Sequence, residues 1–388
     1  MKRLLIGWLV ITSLCWSIIG LLWAPYLPGG WLVVGLLAIA VSLPLALLVR
    51  GFSGGAYPSA ATRLFVMRPF WYSQLMVPLL AISGLLGIII GLPFGASMST
   101  GRWSMAILGG IMAALFLVGY AGARSLRVRR FEARFPNLPE GLDGLRVAQL
   151  SDTHIGPHIP KGWLRRVVAS VDAAEPDLIV FTGDQVDDYA RDIEPFRAAF
   201  GALRAPLGVH AIIGNHDVYA GWAAVREGLE GMGMSVLVNR PVALERNGSR
   251  LWLAGTGDPA AKGWNREDAL EAVPDIDRTL DGIPASEFTL ALAHNPALWP
   301  ALAARGVDLT LSGHTHYGQF SIPRIGWSLA SPFLEHAMGN YTHDRSLLYI
   351  NPGTGYWGIP FRIGSLPEVT IITLKRSPGE PAIEVAEG

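Results

Sequence analysis

Long uncharged apolar segments dominate the first third of the chain. Four of them, at residues 4–23, 31–49, 75–94 and 103–120, contain no charged residue. Each is long enough for a helix to cross a hydrocarbon core of roughly 30 Å. Apolar residues lie on all sides of each predicted helix, whereas a surface helix of a soluble domain has one apolar stripe. The pattern therefore predicts four transmembrane helices.

From residue 144 onward, short apolar runs that are typical of buried strands alternate with helix-like segments. Two amphipathic helices are predicted at residues 161–174 and 191–203, each after a strand-like run. Strands that alternate with helices indicate α/β layers, and the later short strands predict a second sheet. The expected fold is a four-helix membrane region followed by an α/β domain, a two-sheet β-sandwich flanked by helices.

The charges separate the same two regions. The first acidic residue is Glu132, so residues 1–131 hold ten basic residues and none of the 31 acidic ones. The remainder carries 31 − 10 = 21 basic against 31 acidic residues, a net charge of −10. This acidic balance argues against a nucleic-acid partner, which needs a basic surface. We expect a membrane domain at 1–123, a basic connector at 124–143 and a catalytic domain at 144–388.

Basic residues also predict the topology. Lys2 and Arg3 precede the first span, three arginines lie in loop 50–74, and five lie in 124–134. The connection at 24–30 contains no basic residue, and the connection at 95–102 contains one. The sequence therefore predicts a multi-pass protein of the inner (plasma) membrane. The positive-inside rule predicts that both termini and the catalytic domain lie in the cytoplasm. The basic segment 124–134 is expected to contact anionic membrane lipids.

The spans contain no acidic residue, lysine or histidine, which ion pathways usually need. They are therefore interpreted as an anchor rather than a transporter. The single cysteine, Cys15, excludes an intramolecular disulfide and a cysteine-rich zinc site.

Polar side chains capable of binding metal follow five of the apolar runs. In open α/β sheets, binding sites form at the carboxyl ends of the strands, so these residues are expected to converge. Oxygen and imidazole ligands without thiolate suit Mn, Fe, Zn or Mg and do not select one. The candidate ligands are Asp152, His154, Asp184, Asn215, His294, His314 and His316.

The order of these motifs resembles that of the calcineurin-like metallophosphoesterases, in particular the bacterial YaeI- and YkuE-like phosphodiesterases. The resemblance extends over residues ~144–374, and a late element adds Asn351, Gly353, Pro360, Arg362, Gly364, Pro367 and Glu368. The five motifs are Asp152-Thr-His154, Gly183-Asp184-Gln-Val-Asp187, Gly214-Asn215-His216-Asp217, His294 and Gly313-His314-Thr-His316.

This resemblance implies two divalent metal ions. Asp152, His154 and His316 would bind the first metal; Asn215, His294 and His314 would bind the second; Asp184 would bridge them. A hydroxide held between the metals would attack phosphorus. His216 would stabilise the transition state or protonate the leaving oxygen, with its ring oriented by Asp217, and Asp187 would support its loop.

Three further side chains are candidates for substrate binding. Arg362 could clamp a phosphate, because guanidinium matches phosphate geometry; a surface ion pair is the alternative. Tyr317, beside the last ligand, and His158, four residues after His154, could line the site, with ordinary structural roles as their alternatives. The apolar segment 325–341 is a lid, a membrane contact or packing against the sheet.

Together these features predict a membrane-anchored phosphoesterase that hydrolyses a phosphodiester or a pyrophosphate bond. Some members of the family that this sequence resembles cleave UDP-2,3-diacylglucosamine. A membrane anchor suits such a lipid-linked substrate. The alternatives are a nucleotide phosphodiesterase acting on soluble substrates and a non-catalytic membrane scaffold that retains the fold. The sequence leaves the oligomeric state open.

Overall fold

The computed structural model describes residues 2–42, 60–156, 159–187, 189–264 and 266–386. The chain divides into two compact units, Met1–Val118 and Gly119–Gly388. The first unit ends five residues before residue 123, the predicted end of the membrane domain.

Apolar helices build the first unit. Among the described residues, three helices are long and apolar enough to cross a membrane: Ile6–Tyr26, Leu64–Phe94 and Ser97–Gly122. The predicted span at 31–49 begins with a shorter apolar helix, and its remainder lies outside the described residues. A membrane span at 31–49 therefore stays a prediction. The α-helices are α1 (Lys2–Trp23), α2 (Trp31–Ser42), α3 (Arg68–Gly91, after a π-helical turn at Arg63–Met67) and α4 (Ser97–Gly122).

Small residues allow α3 and α4 to pack closely. A Cβ atom on Gly87 would collide with the side chain of Ser104 and with the Thr100 carbonyl. Ser104 Oγ donates to the Ser83 carbonyl at 3.2 Å. Helices inside a bilayer gain little from the hydrophobic effect between them, so close van der Waals packing of this kind holds them together.

The described part of the second unit contains fifteen strands, which form two large sheets and one small hairpin. The seven-stranded sheet has the order β15-β1-β14-β2-β3-β4-β5, and the six-stranded sheet has the order β12-β13-β9-β8-β7-β6. Strands β10 (Ser321–Ile322) and β11 (Trp327–Ser328) pair separately. The remaining strands are β1 (Arg127–Phe135), β2 (Arg146–Leu150), β3 (Leu178–Thr182), β4 (Val209–Ile212), β5 (Ser235–Val236), β6 (Arg240–Arg246), β7 (Ser249–Gly255), β8 (Thr289–Leu292), β9 (Leu309–Ser312), β12 (Gly339–His343), β13 (Ser346–Ile350), β14 (Glu368–Arg376) and β15 (Ala382–Val385).

Parallel pairing places the ends of the central strands level with one another. In the first sheet, β2, β3 and β4 run parallel, with Leu150 opposite Phe181. In the second sheet, β7, β8, β9 and β13 run parallel, with Leu292 opposite Leu311. The carboxyl ends of these strands therefore form two aligned edges on which a site can be built.

The two sheets pack face to face. Val147 and Val180 of the first sheet share one buried cluster with Leu290 and Leu309 of the second. Alternate residues of the same strands, such as Ala148 and Phe181, belong to a different cluster on the opposite face of the first sheet. This period of two places one face of each strand in the sandwich core and the other against helices. The predicted two-sheet α/β fold is confirmed.

Helices cover the outer face of the first sheet. These helices are α5 (Lys161–Asp172), α6 (Ile193–Phe200) and α7 (Asn215–Glu230). The apolar periodicity predicted α5 and α6. Trp163, Phe196 and Trp222 anchor them in the cluster on that face. Three short helices complete the unit: α8 (Glu267–Glu271), α9 (Ile276–Thr279) and α10 (Trp299–Ala303).

The prediction of a basic connector at 124–143 is wrong. Strand β1 occupies most of this segment, pairing in parallel with β14 and antiparallel with β15. Phe131, Ala133 and Phe135 are buried on one face, whereas the charged residues between them are more exposed. Arginines on the alternate positions conceal this strand in the sequence, because the local charge resembles that of a linker.

Candidate metal centre

Five strand ends deliver the seven predicted ligands. They follow β2, β3, β4, β8 and β9, which belong to both sheets of the sandwich. All are buried except His314, which is half-buried. The side chains that the structure brings together at this edge are Asp152, His154, Asp184, Asn215, His294, His314 and His316.

Several ligands occupy the left-handed backbone region that non-glycine residues rarely adopt. The φ angles are 49° at Asp152, 42° at His154, 53° at Asp184, 70° at His314 and 49° at His316. Such conformations persist only where surrounding contacts impose them, and they concentrate at functional sites. This strain turns side chains sharply inward as each strand ends.

Glycines permit the close approach of these loops. A Cβ atom on Gly214 would collide with Asp184 Oδ1, and one on Gly313 would collide with Ser151 Oγ and Asp152 Oδ2. At both positions the requirement is space for a neighbouring ligand. Gly183, with a φ of 92°, is the position where a left-handed turn is needed.

One group of ligand atoms surrounds a first candidate metal position. His154 Nε2 and His316 Nε2 lie 3.0 Å apart, and His316 Nε2 lies 3.2 Å from Asp152 Oδ1. His154 Nε2 is also 3.6 Å from Asp184 Oδ2. These are the ligands that the resemblance assigns to the first metal.

A second group lies on the other side of Asp184. His294 Nε2 is 3.3 Å from Asp184 Oδ2 and 3.2 Å from Asn215 Oδ1. His314 Nδ1 is 2.8 Å from the same Asn215 oxygen. Asp184 therefore contacts both groups, as a bridging ligand must.

The donor atoms fit divalent metal ions. Ligands bound at about 2.1 Å to one metal are separated by about 3.0–3.4 Å, which matches the separations above. Three acid–histidine groups have ligand atoms within 4.8 Å of one another: Asp152, His154 and His316; His154, Asp184 and His216; Asp152, Asp184 and His294.

Burial and neighbouring charges set the protonation of the ligands. Burial lowers the pKa of His314 to about 4, and the charge of His294 acts in the same direction. Burial also lowers the pKa of His294, but Asp184 outweighs it and raises that pKa well above its usual value. His294 in turn holds the pKa of Asp184 well below its usual value against the opposing effect of burial. A proton on His294 thus occupies the place of a cation, which metal binding would displace.

Asp217 does not orient the His216 ring, and that prediction is corrected. Its carboxylate accepts backbone N–H groups of Gly214 at 2.9 Å, Asp184 at 2.9 Å, Gln185 at 3.0 Å and Val186 at 3.3 Å. Asp217 therefore fastens the loop of Asp184 to the start of α7. Burial, followed by the charge of Asp184, raises its pKa to about 7.

Asp187 provides the support that His216 needs. Nδ1 of His216 lies 2.7 Å from the Asp187 carbonyl, which leaves Nε2 as the nitrogen for a substrate. The Asp187 carboxylate lies 3.3 Å from Nδ1 of His154 and orients that ligand. The prediction that Asp187 supports the site rather than binds metal agrees with these contacts.

Arg362 lies behind the metal centre, with a fully buried side chain. Its Nη2 donates to Nδ1 of His316 at 2.8 Å and to the Gly355 carbonyl at 2.5 Å. Its Nη1 donates to the carbonyls of His316, Pro352 and Ser365 at 3.1, 2.5 and 3.3 Å. These contacts favour a positioning role over the phosphate contact expected from sequence. Burial lowers the pKa of Arg362 to about 9.

The two other substrate candidates have different outcomes. Tyr317 is buried, and its hydroxyl donates to the Ile350 carbonyl at 2.6 Å and accepts from the Gly339 N–H at 2.9 Å. It packs with Trp299 and Leu348, away from the ligands. His158 lies outside the described residues.

Two neighbours of the centre were missed by sequence analysis. Asp258 is buried, and burial raises its pKa to about 6 against the opposing charge of His294. It follows β7 and could have been found by the same strand-end rule as the ligands. Tyr219 stands four residues after Asn215 on α7, and its ring centroid lies 5.4 Å from that of His216. Its signal was the helical i, i+4 spacing from a ligand.

Comparisons with known proteins agree with the site. The model of the calcineurin-like phosphoesterase family matches residues 145–318. A transmembrane protein with metallophosphoesterase domain from Danio rerio is 33% identical over 297 residues, 72% of this chain and 65% of that protein. Its namesake from Bos taurus is 33% identical over 264 residues, 65% of this chain and 57% of that protein. The chain thus spans less than two thirds of either vertebrate relative.

A bacterial relative is matched almost completely. The metallophosphoesterase YkuE of Bacillus subtilis (strain 168) is 30% identical over 267 residues, 66% of this chain and 90% of that protein. The resemblance seen in the sequence is confirmed, and it extends to vertebrate proteins as well as bacterial ones. The chain therefore belongs to the calcineurin-like metallophosphoesterase family and carries apolar, membrane-type helices at its N-terminus.

Proposed function

We propose that the protein is a membrane-anchored phosphodiesterase or pyrophosphatase that uses two divalent metal ions and acts on a lipid-linked phosphate substrate. The observation that carries this proposal is the position of Asp184 between two ligand groups. Its Oδ2 lies 3.6 Å from His154 Nε2 on one side and 3.3 Å from His294 Nε2 on the other. A single carboxylate shared in this way suits a two-metal site.

The ligands divide as the resemblance implies. Asp152, His154 and His316 would hold one ion, and Asn215, His294 and His314 the other, with Asp184 shared. Bound divalent metals neutralise phosphoryl oxygens and lower the pKa of water, which supplies a nucleophile near neutral pH. Mn, Fe, Zn and Mg all suit these oxygen and imidazole donors.

His216 is the candidate for proton transfer to the leaving oxygen. Its backbone N–H donates to Asp184 Oδ1 at 2.8 Å, which fixes the residue beside the bridging carboxylate. Its Nδ1 is held by the Asp187 carbonyl, so the ring presents Nε2. A general acid must reach the leaving group by one such positioned nitrogen.

Lipid linkage is inferred from the anchor. The predicted spans contain no acid, lysine or histidine that would mark a transport pathway. A permanent anchor keeps an enzyme at the surface where amphiphilic phosphates such as UDP-2,3-diacylglucosamine are found. The basic residues of the connections support a cytoplasmic position for the catalytic unit, because positive residues favour the cytoplasmic side of a membrane.

The first test is hydrolysis of bis-p-nitrophenyl phosphate by detergent-purified protein, with and without Mn²⁺. We expect metal-dependent turnover that Asp184→Asn abolishes and that His216→Asn reduces by about 100-fold or more. Asp344→Asn, at a side chain 91% exposed, and His343→Gln, at one 68% exposed, are matched controls. Full activity in Asp184→Asn would contradict the dimetal assignment.

A second comparison tests the substrate class. Lipid-linked pyrophosphates in mixed micelles and soluble nucleotides are compared by kcat/KM under the same metal conditions. Preference for the lipid substrate supports the proposal. Preference for nucleotides favours a soluble-substrate phosphodiesterase, and metal binding without turnover on any substrate favours a scaffold.

A further inference from the structure

A hairpin just beyond the last metal ligand has inverted polarity. In the segment 320–334, Ser321 and Ser328 are buried, whereas four large apolar side chains are exposed. The exposed fractions are 43% for Ile322, 71% for Ile325, 51% for Leu329 and 81% for Phe333. We call these four residues the apolar hairpin surface. Scattered exposed apolar residues are ordinary, but a contiguous group indicates a binding surface.

Hydrogen bonds hold this hairpin in a defined shape. Strands β10 and β11 pair antiparallel, and Leu329 N–H donates to the Phe320 carbonyl at 2.8 Å. Ser328 N–H donates to Ser331 Oγ at 3.0 Å, which fixes the turn that follows β11. The outward apolar side chains are therefore a feature of an ordered element.

The charge of the hairpin fits a phospholipid surface. Between residues 320 and 334 the sequence contains one basic residue, Arg324, and no acidic residue, and the exposed Glu335 follows directly; residues 132–388 as a whole carry 31 acidic against 21 basic residues. An exposed apolar group beside one cation suits the boundary between acyl chains and phosphates.

The hairpin is also tied to the chain at the end of a predicted span. Ser321 N–H donates to the Ile363 carbonyl at 2.8 Å, and Arg362 N–H donates to the Gly119 carbonyl at 2.9 Å. Gly119 belongs to the same unit and lies at the end of the uncharged segment 103–120. Within this unit, two hydrogen bonds therefore connect the hairpin to the residue at which the last predicted span ends.

Continuity with the metal centre gives the surface a consequence for catalysis. Gln319, three residues after His316, bonds Trp357 through its amide: Nε2 donates to the Trp357 carbonyl at 3.0 Å. Trp357 is 53% exposed, and its ring lies 6.1 Å from that of His216. An aromatic ring of this kind favours the membrane interface.

We propose that the apolar hairpin surface inserts into the phospholipid headgroup and acyl boundary and delivers lipid-borne phosphates to the centre. Insertion needs only the anchored protein and a bilayer. The delivery of substrate rests on the proposed function. A second copy of this chain or a soluble protein is the competing occupant, and the experiment distinguishes it.

The test uses the full chain in nanodiscs at one protein per disc. The single cysteine, Cys15, is replaced by serine, and an environment-sensitive NBD label is placed on Ile325→Cys or Phe333→Cys. Val385→Cys, at an exposed apolar residue of β15 with 63% exposure, is the matched control. We expect doxyl-labelled phospholipids to quench NBD at 325 and 333 strongly, with blue-shifted emission, and at 385 weakly.

Equal quenching at all three positions would overturn the proposal. So would emission at 325 and 333 that changes with protein density but not with doxyl lipid, since that result indicates a protein occupant. This readout needs no turnover, so its failure is separate from failure of the proposed function.

Kinetics test the delivery step. Phe333→Ser combined with Ile325→Ser should raise KM for a lipid-linked substrate in nanodiscs about tenfold or more, as loss of two apolar side chains that the bilayer would bury predicts. Hydrolysis of bis-p-nitrophenyl phosphate should be unchanged. An unchanged lipid KM alongside strong quenching of the single-cysteine labels would refute delivery.

Discussion

Replacement of Arg362 by lysine tests whether this residue positions a metal ligand. The guanidinium bonds both to the ring of His316 and to the carbonyls of Pro352 and Gly355. Lysine keeps the charge but has a single nitrogen, which cannot reach these acceptors together. Arg362→Lys should therefore release the ring of His316 from one fixed orientation.

The size of the effect follows from these contacts. A buried acceptor left without a partner costs about 1–3 kcal/mol, so two orphaned carbonyls lower the free energy of unfolding by about 2–5 kcal/mol. Loss of a hydrogen bond to a metal-ligating histidine typically weakens metal binding about 10–100-fold. We expect both changes, and we expect kcat to recover largely at saturating metal.

The assay is a Mn²⁺ titration of bis-p-nitrophenyl phosphate hydrolysis, with KM and kcat measured at saturating metal and the melting temperature measured separately. Arg250→Lys, at a side chain 44% exposed, is the matched control. A raised KM with unchanged half-saturation by metal would refute the positioning role. That result would restore the phosphate contact predicted from sequence.

Three further predictions follow from the site. Asp217→Asn should lower the free energy of unfolding by about 2–4 kcal/mol, because the carboxylate binds four backbone N–H groups; thermal unfolding beside Asp344→Asn checks it. Gly313→Ala should abolish metal binding at the Asp152 side of the centre, measured by metal analysis, whereas Gly263→Ala, with open space around its Cβ, should not. In metal-free protein, the pKa of Asp258 is raised from 3.8 to about 6, so the folded state binds the extra proton and stability falls as pH rises from about 4 to about 6. Asp258→Asn should remove up to about 3 kcal/mol of this pH dependence, and an unchanged profile of melting temperature against pH would contradict the assignment.

The sequence predicted which residues form the candidate metal centre, and it determined which kind of fold carries them. Seven candidate ligands follow apolar strands along the chain, and parallel strands end at the same edge of a sheet. The convergence of these side chains was therefore predictable from local pattern. Uncharged segments of about 20 residues likewise predicted apolar spanning helices, because their length and composition are local properties. Both inferences need only information within one segment and its neighbours.

Only the tertiary structure decided what the supporting residues contact. Tyr317 and Asp217 stand next to or two residues from a candidate ligand in the sequence, and Arg362 lies in the late motif, yet the side chains of all three bond to backbone groups of other loops. The burial of Arg362 depends on residues 352–365 folding behind His316. Sequence proximity gives the chemical type of a side chain, but its direction depends on the packing of segments far apart in the chain.

The strand β1 shows the same limit in the fold. Its buried residues, Phe131 and Ala133, alternate with charged ones, and the local sequence alone resembles a basic linker. Its strand conformation is fixed by pairing with β14, which lies more than 230 residues later in the sequence. The sequence by itself determined the class of fold and predicted the chemical types of the candidate ligands. Nonlocal pairing and packing decided which polar side chains face the candidate metal centre and which hold the scaffold. They decide this because those contacts join segments that no local pattern connects.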